Sequence, residues 1–182
     1  MKQIYLIRHC QADGQEPEAV LTEEGIKQAL NLSEYLTSLN IDRIISSPYT
    51  RTIQSIQPFA ERINVKIELD QRLTERVLSN ENLPDWFEKL QLTFVDLDMR
   101  LAGGETSREA MKRIVSVVKE VLHADALNTV IVTHGNLLSL LLMHVDHNYG
   151  FEDWKKLSNP DVFLLKKESS QILIDQIWNE KR

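Results

Sequence analysis

The chain of 182 residues is poor in cysteine and in long apolar runs. Its single cysteine, Cys10, rules out an intramolecular disulfide and suits a reducing cytoplasm, which is the location we expect. The longest apolar run, 137–145, contains Ser139 and His144 and is far shorter than the roughly 20 residues of a membrane-spanning helix. We also expect no signal peptide, because Arg8-His9 interrupts the first apolar stretch at once.

The chain also has no excess of positive charge. The chain has 21 lysines and arginines against 27 acidic residues, which gives a net charge of −6. An acidic protein is a poor partner for nucleic acid or an anionic membrane, so we expect neither. The hydrophobic content of 42% is ordinary for a globular protein, and the length predicts one domain over residues 1–182. We expect a monomer or a homodimer.

Apolar periodicity predicts strands that alternate with helices. Strands are expected at 3–7, 43–47, 65–69 and 129–133, and 161–166 and 171–177 are expected to form a hairpin around Glu168-Ser169-Ser170. Helices are expected at 22–39, 49–63, 83–92 and 135–143, and one more begins at the capping box Thr106-Ser107-Arg108-Glu109. This order is typical of an α/β fold, a three-layer α/β/α sandwich with a mostly parallel sheet, helices on both faces and an edge hairpin.

Two helices carry more detailed expectations. In the first, Ile26, Leu30, Leu36 and Leu39 are spaced to form much of the buried face. In the second, Pro58 lies inside the helical pattern, so a kink or a break is expected near it.

Basic side chains follow the ends of the predicted strands. Arg8-His9 comes after the first strand, His134 comes after the strand at 129–133, and Arg51 lies in the first turn of the helix after 43–47. The carboxyl ends of parallel strands share one edge of a sheet, where ligands bind. Helix N-termini and arginine forks both suit a phosphate. The sequence therefore predicts nucleophilic chemistry on an anion at this edge.

Six segments in this order resemble the histidine phosphatase superfamily, also called the phosphoglycerate mutase-like family. They span residues 4–136, and any one alone would be a weak signal. The segments are Ile4-Tyr5-Leu6-Ile7-Arg8-His9, Leu21-Thr22-Glu23-Glu24-Gly25-Ile26-Lys27-Gln28-Ala29, Ser46-Ser47-Pro48-Tyr49-Thr50-Arg51-Thr52-Ile53-Gln54-Ser55, Leu73-Thr74-Glu75, Gly103-Gly104-Glu105-Thr106 and Val132-Thr133-His134-Gly135.

The resemblance implies a metal-independent phosphatase that uses no cofactor and acts on a small phosphorylated substrate or a phosphoprotein. His9 would be the nucleophile that becomes phosphohistidine, and Glu75 would be the acid and base. Arg8, Arg51 and His134 would hold the phosphoryl oxygens and stabilise the charge during transfer, with His134 counted among the catalytic residues, and Gly135 would also bind the substrate. Substrate specificity is expected from residues 70–104 and 147–160.

Three departures from the family pattern leave alternatives open. Cys10 replaces the usual glycine or alanine after the histidine, and the segments typical of the mutases after His9 and after Glu75 are absent. These points favour hydrolysis over a cofactor-dependent phosphoglycerate mutase-type transfer, and intact basic residues argue against a non-catalytic phosphate-binding relative. The acid could also be Asp70, Glu81 or Asp85.

Other motifs carry less weight. Cys10 lacks the arginine six residues later that a cysteine phosphatase needs, since position 16 is Glu16, and Asp96-Leu97-Asp98 lies far from the first strand. His144 and His147 lack further metal ligands nearby, so no metal site is expected. The tryptophans are expected in the core or at an interface: Trp86, Trp154 and Trp178.

Overall fold

The computed structural model describes residues 2–168 and 171–178. All strands and helices expected from the sequence are present, with shifted ends, and a 3₁₀ turn (Gln71–Leu73) and a short helix (Phe151–Trp154) are additional. In chain order the elements are β1 (Gln3–Arg8), α1 (Glu23–Leu36), β2 (Arg43–Ser46), α2 (Thr50–Ile63), β3 (Ile67–Leu69), α3 (Trp86–Val95), α4 (Ser107–His123), β4 (Asn128–Thr133), α5 (Gly135–Val145), α6 (Phe151–Trp154), β5 (Asp161–Glu168) and β6 (Gln171–Gln176). Within the described ranges, no helix is both long and apolar enough to cross a membrane.

The six strands form one sheet in the order β3-β2-β4-β1-β5-β6. The first four are parallel, whereas β5 runs antiparallel to β1 and pairs with β6 as the expected edge hairpin. Residues 169 and 170 of that hairpin lie outside the described part of the chain. The carboxyl ends of β1, β2 and β4 therefore meet at one edge, beside the first residue of β5.

Helices cover both faces of the sheet. On β1, Ile4 and Leu6 pack with α4 and α5, while Tyr5 and Ile7 pack with α1 and α2, because successive side chains of a strand point to opposite faces. The same alternation holds on β4, where Ile131 joins the first cluster and its neighbours join the second. The three-layer α/β/α sandwich is confirmed.

The buried face of α1 differs from the prediction. Ile26 and Leu30 are 55% and 51% exposed, so their assignment to the buried face was wrong. The buried residues of this helix include Gly25 and Ala29. A Cβ on Gly25 would lie 2.0 Å from the carbonyl oxygen of Gln11, so this close approach fixes which face turns inward.

Two other helical expectations have different outcomes. The helix α2 runs unbroken through Pro58, so the break is absent, and the alternative of a kink stays a prediction. A proline removes a single intrahelical hydrogen bond, and burial of Ile56 and Phe59 on either side stabilises the helix. The capping box of α4 is confirmed, because the side chains of Thr106 and Glu109 each accept from the other's backbone N–H.

A third apolar cluster lies at the edge where the parallel strands end. It joins α3 to α6 through buried Leu90, Phe94 and Phe151, and Leu78 and Trp154 pack against them. The helix α3 begins at Trp86, three residues later than expected. This cluster forms one wall of the cavity described below.

Candidate active site

His9 lies directly after β1, and hydrogen bonds to its backbone N–H and carbonyl fix its position. Its N–H donates to Thr133 O at 3.1 Å, and its carbonyl accepts from Asn159 Nδ2 at 2.7 Å. The ring nitrogen Nδ1 lies 2.7 Å from Cys10 O, and a carbonyl can only accept, so Nδ1 carries the proton. The other nitrogen, Nε2, then carries the lone pair and accepts from Arg51 Nε at 3.2 Å.

The charge state of His9 follows from its surroundings. Burial, followed by the nearby cations Arg51 and Arg8, lowers the pKa of His9 from 6.5 to about 3. The imidazole is therefore neutral across the physiological range. A neutral ring with an unprotonated Nε2 is the form that can attack an electrophile, once the bond from Arg51 to this nitrogen is released.

Arg51 is held rigidly in the first turn of α2. It is 1% exposed, its Nη1 donates to Glu16 O at 2.8 Å, and its guanidinium lies 5.0 Å from the centre of the Tyr49 ring. Burial lowers the pKa of Arg51, yet an arginine remains charged at any physiological pH. This places a fixed cation against His9 at a helix N-terminus, as the sequence predicted.

His134 lies beside His9 at the N-cap of α5. The two rings meet edge to face with centroids 5.2 Å apart, and His134 Nε2 is hydrogen-bonded to Ser47 Oγ at 2.8 Å. The residue is completely buried, and burial together with His9 and the nearby arginines lowers its pKa well below 6.5. His134 is thus a neutral partner in the free protein.

Arg8 extends from the end of β1 beneath α5. Its Nη1 donates to Leu157 O at 2.8 Å, while Nε has no hydrogen-bond partner in the described part of the chain. A Cβ on Gly135 would lie 3.0 Å from Arg8 Nε and 3.1 Å from Cζ. Because Gly135 has no side chain, the Arg8 guanidinium can occupy this position without a steric clash.

The Glu75 carboxylate lies at the N-terminus of α5. It accepts from three backbone N–H groups, those of Arg76 at 2.8 Å, Leu137 at 2.9 Å and Asn136 at 3.0 Å. These bonds fix its position and place its charge at the positive end of the helix.

The loop that carries Glu75 is braced from α4. Arg113 Nη1 donates to the carbonyls of Arg72 and Thr74 at 2.6 and 2.7 Å, and its Nη2 pairs with Glu105 at 2.5 Å. Glu105 belongs to the Gly-Gly-Glu-Thr segment of the family resemblance. The structural role of this segment is therefore to fix Arg113, which in turn holds the loop of Glu75.

A cavity of about 450 Å³ opens beside Arg8 and Glu75. Its lining brings together Arg8, Glu75 and Gly135 with residues from α3 and α6. The buried amide of Asn136 also lines it, and neither amide atom has a partner within the described ranges. Asn136 is a site residue that the sequence reasoning missed, although it directly follows His134-Gly135.

The other three candidate acids lie elsewhere. Asp70 pairs with Arg72 at 2.7 Å, Asp85 pairs with Lys89 at 3.1 Å, and Glu81 is exposed. None of them is among the residues that line this cavity. The geometry favours Glu75, whose catalytic role stays a prediction.

Several polar residues of the sequence segments accept hydrogen bonds from backbone N–H groups of the chain that follows His9. Ser55 Oγ accepts from Cys10 N at 2.8 Å, Gln28 accepts from Gln11 N at 2.8 Å, and Gln54 accepts from Leu21 N at 2.8 Å. Sequence reasoning did not assign these roles. The signal was available, because all three residues belong to the quoted segments.

The weaker motifs do not contribute to the site. Cys10 is completely buried, and burial raises the pKa of its thiol to about 12, so it stays protonated and inert. Within residues 2–168 and 171–178, no group of three or more His, Cys, Asp or Glu side chains could hold a metal ion. Trp86 is 50% exposed and lines the cavity, so it does not lie in the core, and an interface position stays a prediction for it. Trp154 packs against the third cluster, and Trp178 packs against the core cluster that contains Tyr5 and Ile7.

Comparison with known proteins accounts for this arrangement. The family model of the histidine phosphatase superfamily (branch 1) matches residues 4–176. The chain belongs to the histidine phosphatase superfamily. The resemblance drawn from the six segments is therefore confirmed, and the fold described above is the fold of known members.

The chain is similar to a probable mutase in sequence and to phosphatases in fold. The probable phosphoglycerate mutase GpmB of Salmonella choleraesuis (strain SC-B67) is 27% identical over an alignment 193 residues long, gaps included. The alignment covers 95% of this chain and 88% of that protein. A structure of mycobacterial glucosyl-3-phosphoglycerate phosphatase with inorganic phosphate has a TM-score of 0.80 at 23% identity and covers 98% of this chain and 97% of that one. The Entamoeba histolytica phosphoserine phosphatase in complex with 3-phosphoglyceric acid has a TM-score of 0.77 at 18% identity and covers 99% and 98%.

Proposed function

We propose that the protein is a metal-independent phosphatase that hydrolyses small phosphomonoesters through a phosphohistidine intermediate on His9. The observation that carries this proposal is the state of His9, a neutral ring whose Nε2 lone pair faces Arg51. Three groups nearby, Arg8, His134 and Arg51, supply the hydrogen-bond donors that a transferring phosphoryl group needs. The phosphatase structures named above support the same reaction class.

The reaction has two steps. First, Nε2 of His9 attacks phosphorus, the bond from phosphorus to the ester oxygen breaks, and the protonated form of Glu75 gives its proton to the leaving oxygen and becomes the carboxylate. Then water attacks the phosphohistidine, Glu75 takes a proton from that water, and the bond from phosphorus to nitrogen breaks. Inorganic phosphate leaves, and Nε2 regains its lone pair. The arginines stabilise the charge in both transition states.

Trapping the intermediate tests the proposal. With p-nitrophenyl phosphate and EDTA present, rapid denaturation followed by peptide mass spectrometry at high pH, where phosphohistidine survives, should locate phosphate on His9. His9→Ala should lose both the label and the activity while keeping the melting temperature close to that of the wild type. A label on another residue, or full activity in His9→Ala, would overturn it.

A mutase-type phosphotransferase is the second candidate, and the similarity to GpmB supports it. The segments absent after His9 and Glu75 argue for hydrolysis instead. With 3-phosphoglycerate as substrate, hydrolysis releases inorganic phosphate, whereas a mutase releases an isomer. Phosphate binding without any turnover would indicate a non-catalytic relative.

Two further expectations belong to this proposal. A single domain over residues 1–182 is supported by the family match to residues 4–176. A cytoplasmic location is supported by the single, buried cysteine. Oligomeric state, as monomer or homodimer, stays a prediction that light scattering would test.

A further inference from the structure

The walls of the 450 Å³ cavity differ sharply in chemistry. One end is polar and belongs to the phosphoryl site, with Arg8, Glu75 and Gly135. An apolar wall comes from α3, α6 and the loop before α3. Its residues are Leu78, Trp86, Leu90 and Trp154.

The apolar wall is preformed. The Trp154 ring stacks on Phe151 with centroids 5.3 Å apart and an angle of 25° between the planes, and Leu90 is buried beneath. Trp86, at the start of α3, leaves half of its surface exposed and meets Phe87 edge to face at 5.6 Å. Two indoles on one cavity wall offer flat, apolar contact area.

The cavity has few cationic side chains that could pair with a second negative charge. Among the described residues, its lining has two cations, Arg8 and Arg76. Arg76 is 6% exposed and already donates to Thr93 Oγ1 at 2.7 Å and to Glu105 O at 3.2 and 3.3 Å. Because Arg8 belongs to the phosphoryl end, a carboxylate against the tryptophans would lack a counter-ion there.

We propose that this wall is a leaving-group subsite that selects small phosphomonoesters with a flat apolar, preferably aromatic, group and no second anion. The proposal rests on the phosphatase function proposed above and narrows its substrate class. A cavity of this volume is the size that small-molecule ligands occupy. Contact between the tryptophans and the substrate would favour such esters over phosphorylated hydroxy acids.

Kinetics with matched leaving groups tests the selectivity. The substrates 2-naphthylmethyl phosphate and ethyl phosphate both release primary alkoxides, so the comparison isolates contact with the apolar wall. Wild type should favour the naphthylmethyl ester in kcat/KM by at least about tenfold, from the apolar area that its rings bury. Trp86→Ala should lower that ratio by about fivefold or more. Leu92→Ala is the matched control, since Leu92 lies on the same helix, is 52% exposed and does not line the cavity, and it should keep the ratio.

Binding measurements separate this proposal from the catalytic one. Calorimetry should show tighter binding of 2-naphthylmethylphosphonate than of methylphosphonate, with the difference reduced in Trp86→Ala and in Trp154→Phe. Selective binding without turnover of any ester would overturn the phosphatase proposal and keep the subsite. Turnover with equal kcat/KM for the two esters, or a preference for 3-phosphoglycerate, would overturn the subsite and keep the phosphatase.

Discussion

The Nε of Arg51 donates to Nε2 of His9 at 3.2 Å, so the lone pair of the proposed nucleophile is engaged in the free protein. For His9 to attack phosphorus, this hydrogen bond has to break, and the guanidinium then faces the phosphoryl oxygens. A bond from a cation to a charged oxygen is stronger than one to a neutral nitrogen. A phosphate ester would therefore release the nucleophile by binding the arginine.

Arg51→Lys should lower kcat/KM by on the order of ten- to a thousandfold, because one ammonium cannot replace the fork that serves His9, Glu16 O and a phosphoryl group. Steady-state kinetics measure the loss. Arg62→Lys is a matched control on the same helix, where Nη1 donates to Thr37 Oγ1, and it should keep wild-type activity. If vanadate inhibits wild type and Arg51→Lys equally well, Arg51 does not contact the phosphoryl group.

Gly135→Ala should displace Arg8. The new Cβ would lie 3.0 Å from Arg8 Nε, so the guanidinium has to shift by a few tenths of an ångström or more. We expect kcat/KM to fall by on the order of ten- to a hundredfold while the melting temperature stays near that of wild type. Gly150→Ala is the control, since a Cβ there meets nothing within 4 Å. Equal activity of the two variants would show that the position of Arg8 is not critical.

Glu75→Gln should affect substrates according to their leaving group. An alkoxide needs a proton as it departs, whereas p-nitrophenolate leaves readily without one. The variant should therefore slow ethyl phosphate by at least about tenfold more than p-nitrophenyl phosphate. Equal slowing of both esters would indicate a structural role, since the carboxylate also accepts from the backbone N–H groups of Asn136 and Leu137.

The positions of the site residues could be predicted because they lie at element ends. Apolar runs mark where β1 and β4 stop, so His9 and His134 fall at the carboxyl edge of a parallel sheet. Pro48 follows the end of β2 and precedes α2, so Arg51 falls in the first turn of that helix. The spacing of apolar residues along the sequence is enough to predict these positions, because they depend only on where a strand ends or a helix begins.

Other features depend on contacts that periodicity does not contain. Which face of α1 is buried depends on the approach of Gly25 to Gln11 O, so the exposure of Ile26 could not be predicted from spacing. The bond from Asn159 to His9 O joins residues that are far apart in the chain. The cavity wall also depends on long-range packing, because Trp86 and Trp154 come from different helices.

The buried state of His9 predicts how stability depends on pH. Burial and the facing charges of Arg51 and Arg8 lower its pKa to about 3, whereas an unfolded histidine titrates near 6.5. His134, which packs against His9, has its pKa lowered in the same direction. Below about pH 6.5 the unfolded chain therefore binds protons that the folded protein does not bind.

The free energy of unfolding should consequently fall as the pH drops from 6.5 toward 4, and each buried histidine should contribute a slope of up to about 1.4 kcal/mol per pH unit. Urea unfolding at several pH values measures the total slope, to which acidic groups also contribute. His9→Ala isolates the contribution of one residue, because it removes the group that titrates only in the unfolded chain. The slope of this variant should be smaller than that of wild type by close to one proton per molecule over pH 4.5–5.5. Identical slopes would show that His9 takes up its proton in the folded protein by pH 5, which would contradict the lowering of its pKa to about 3 by burial and the facing arginines.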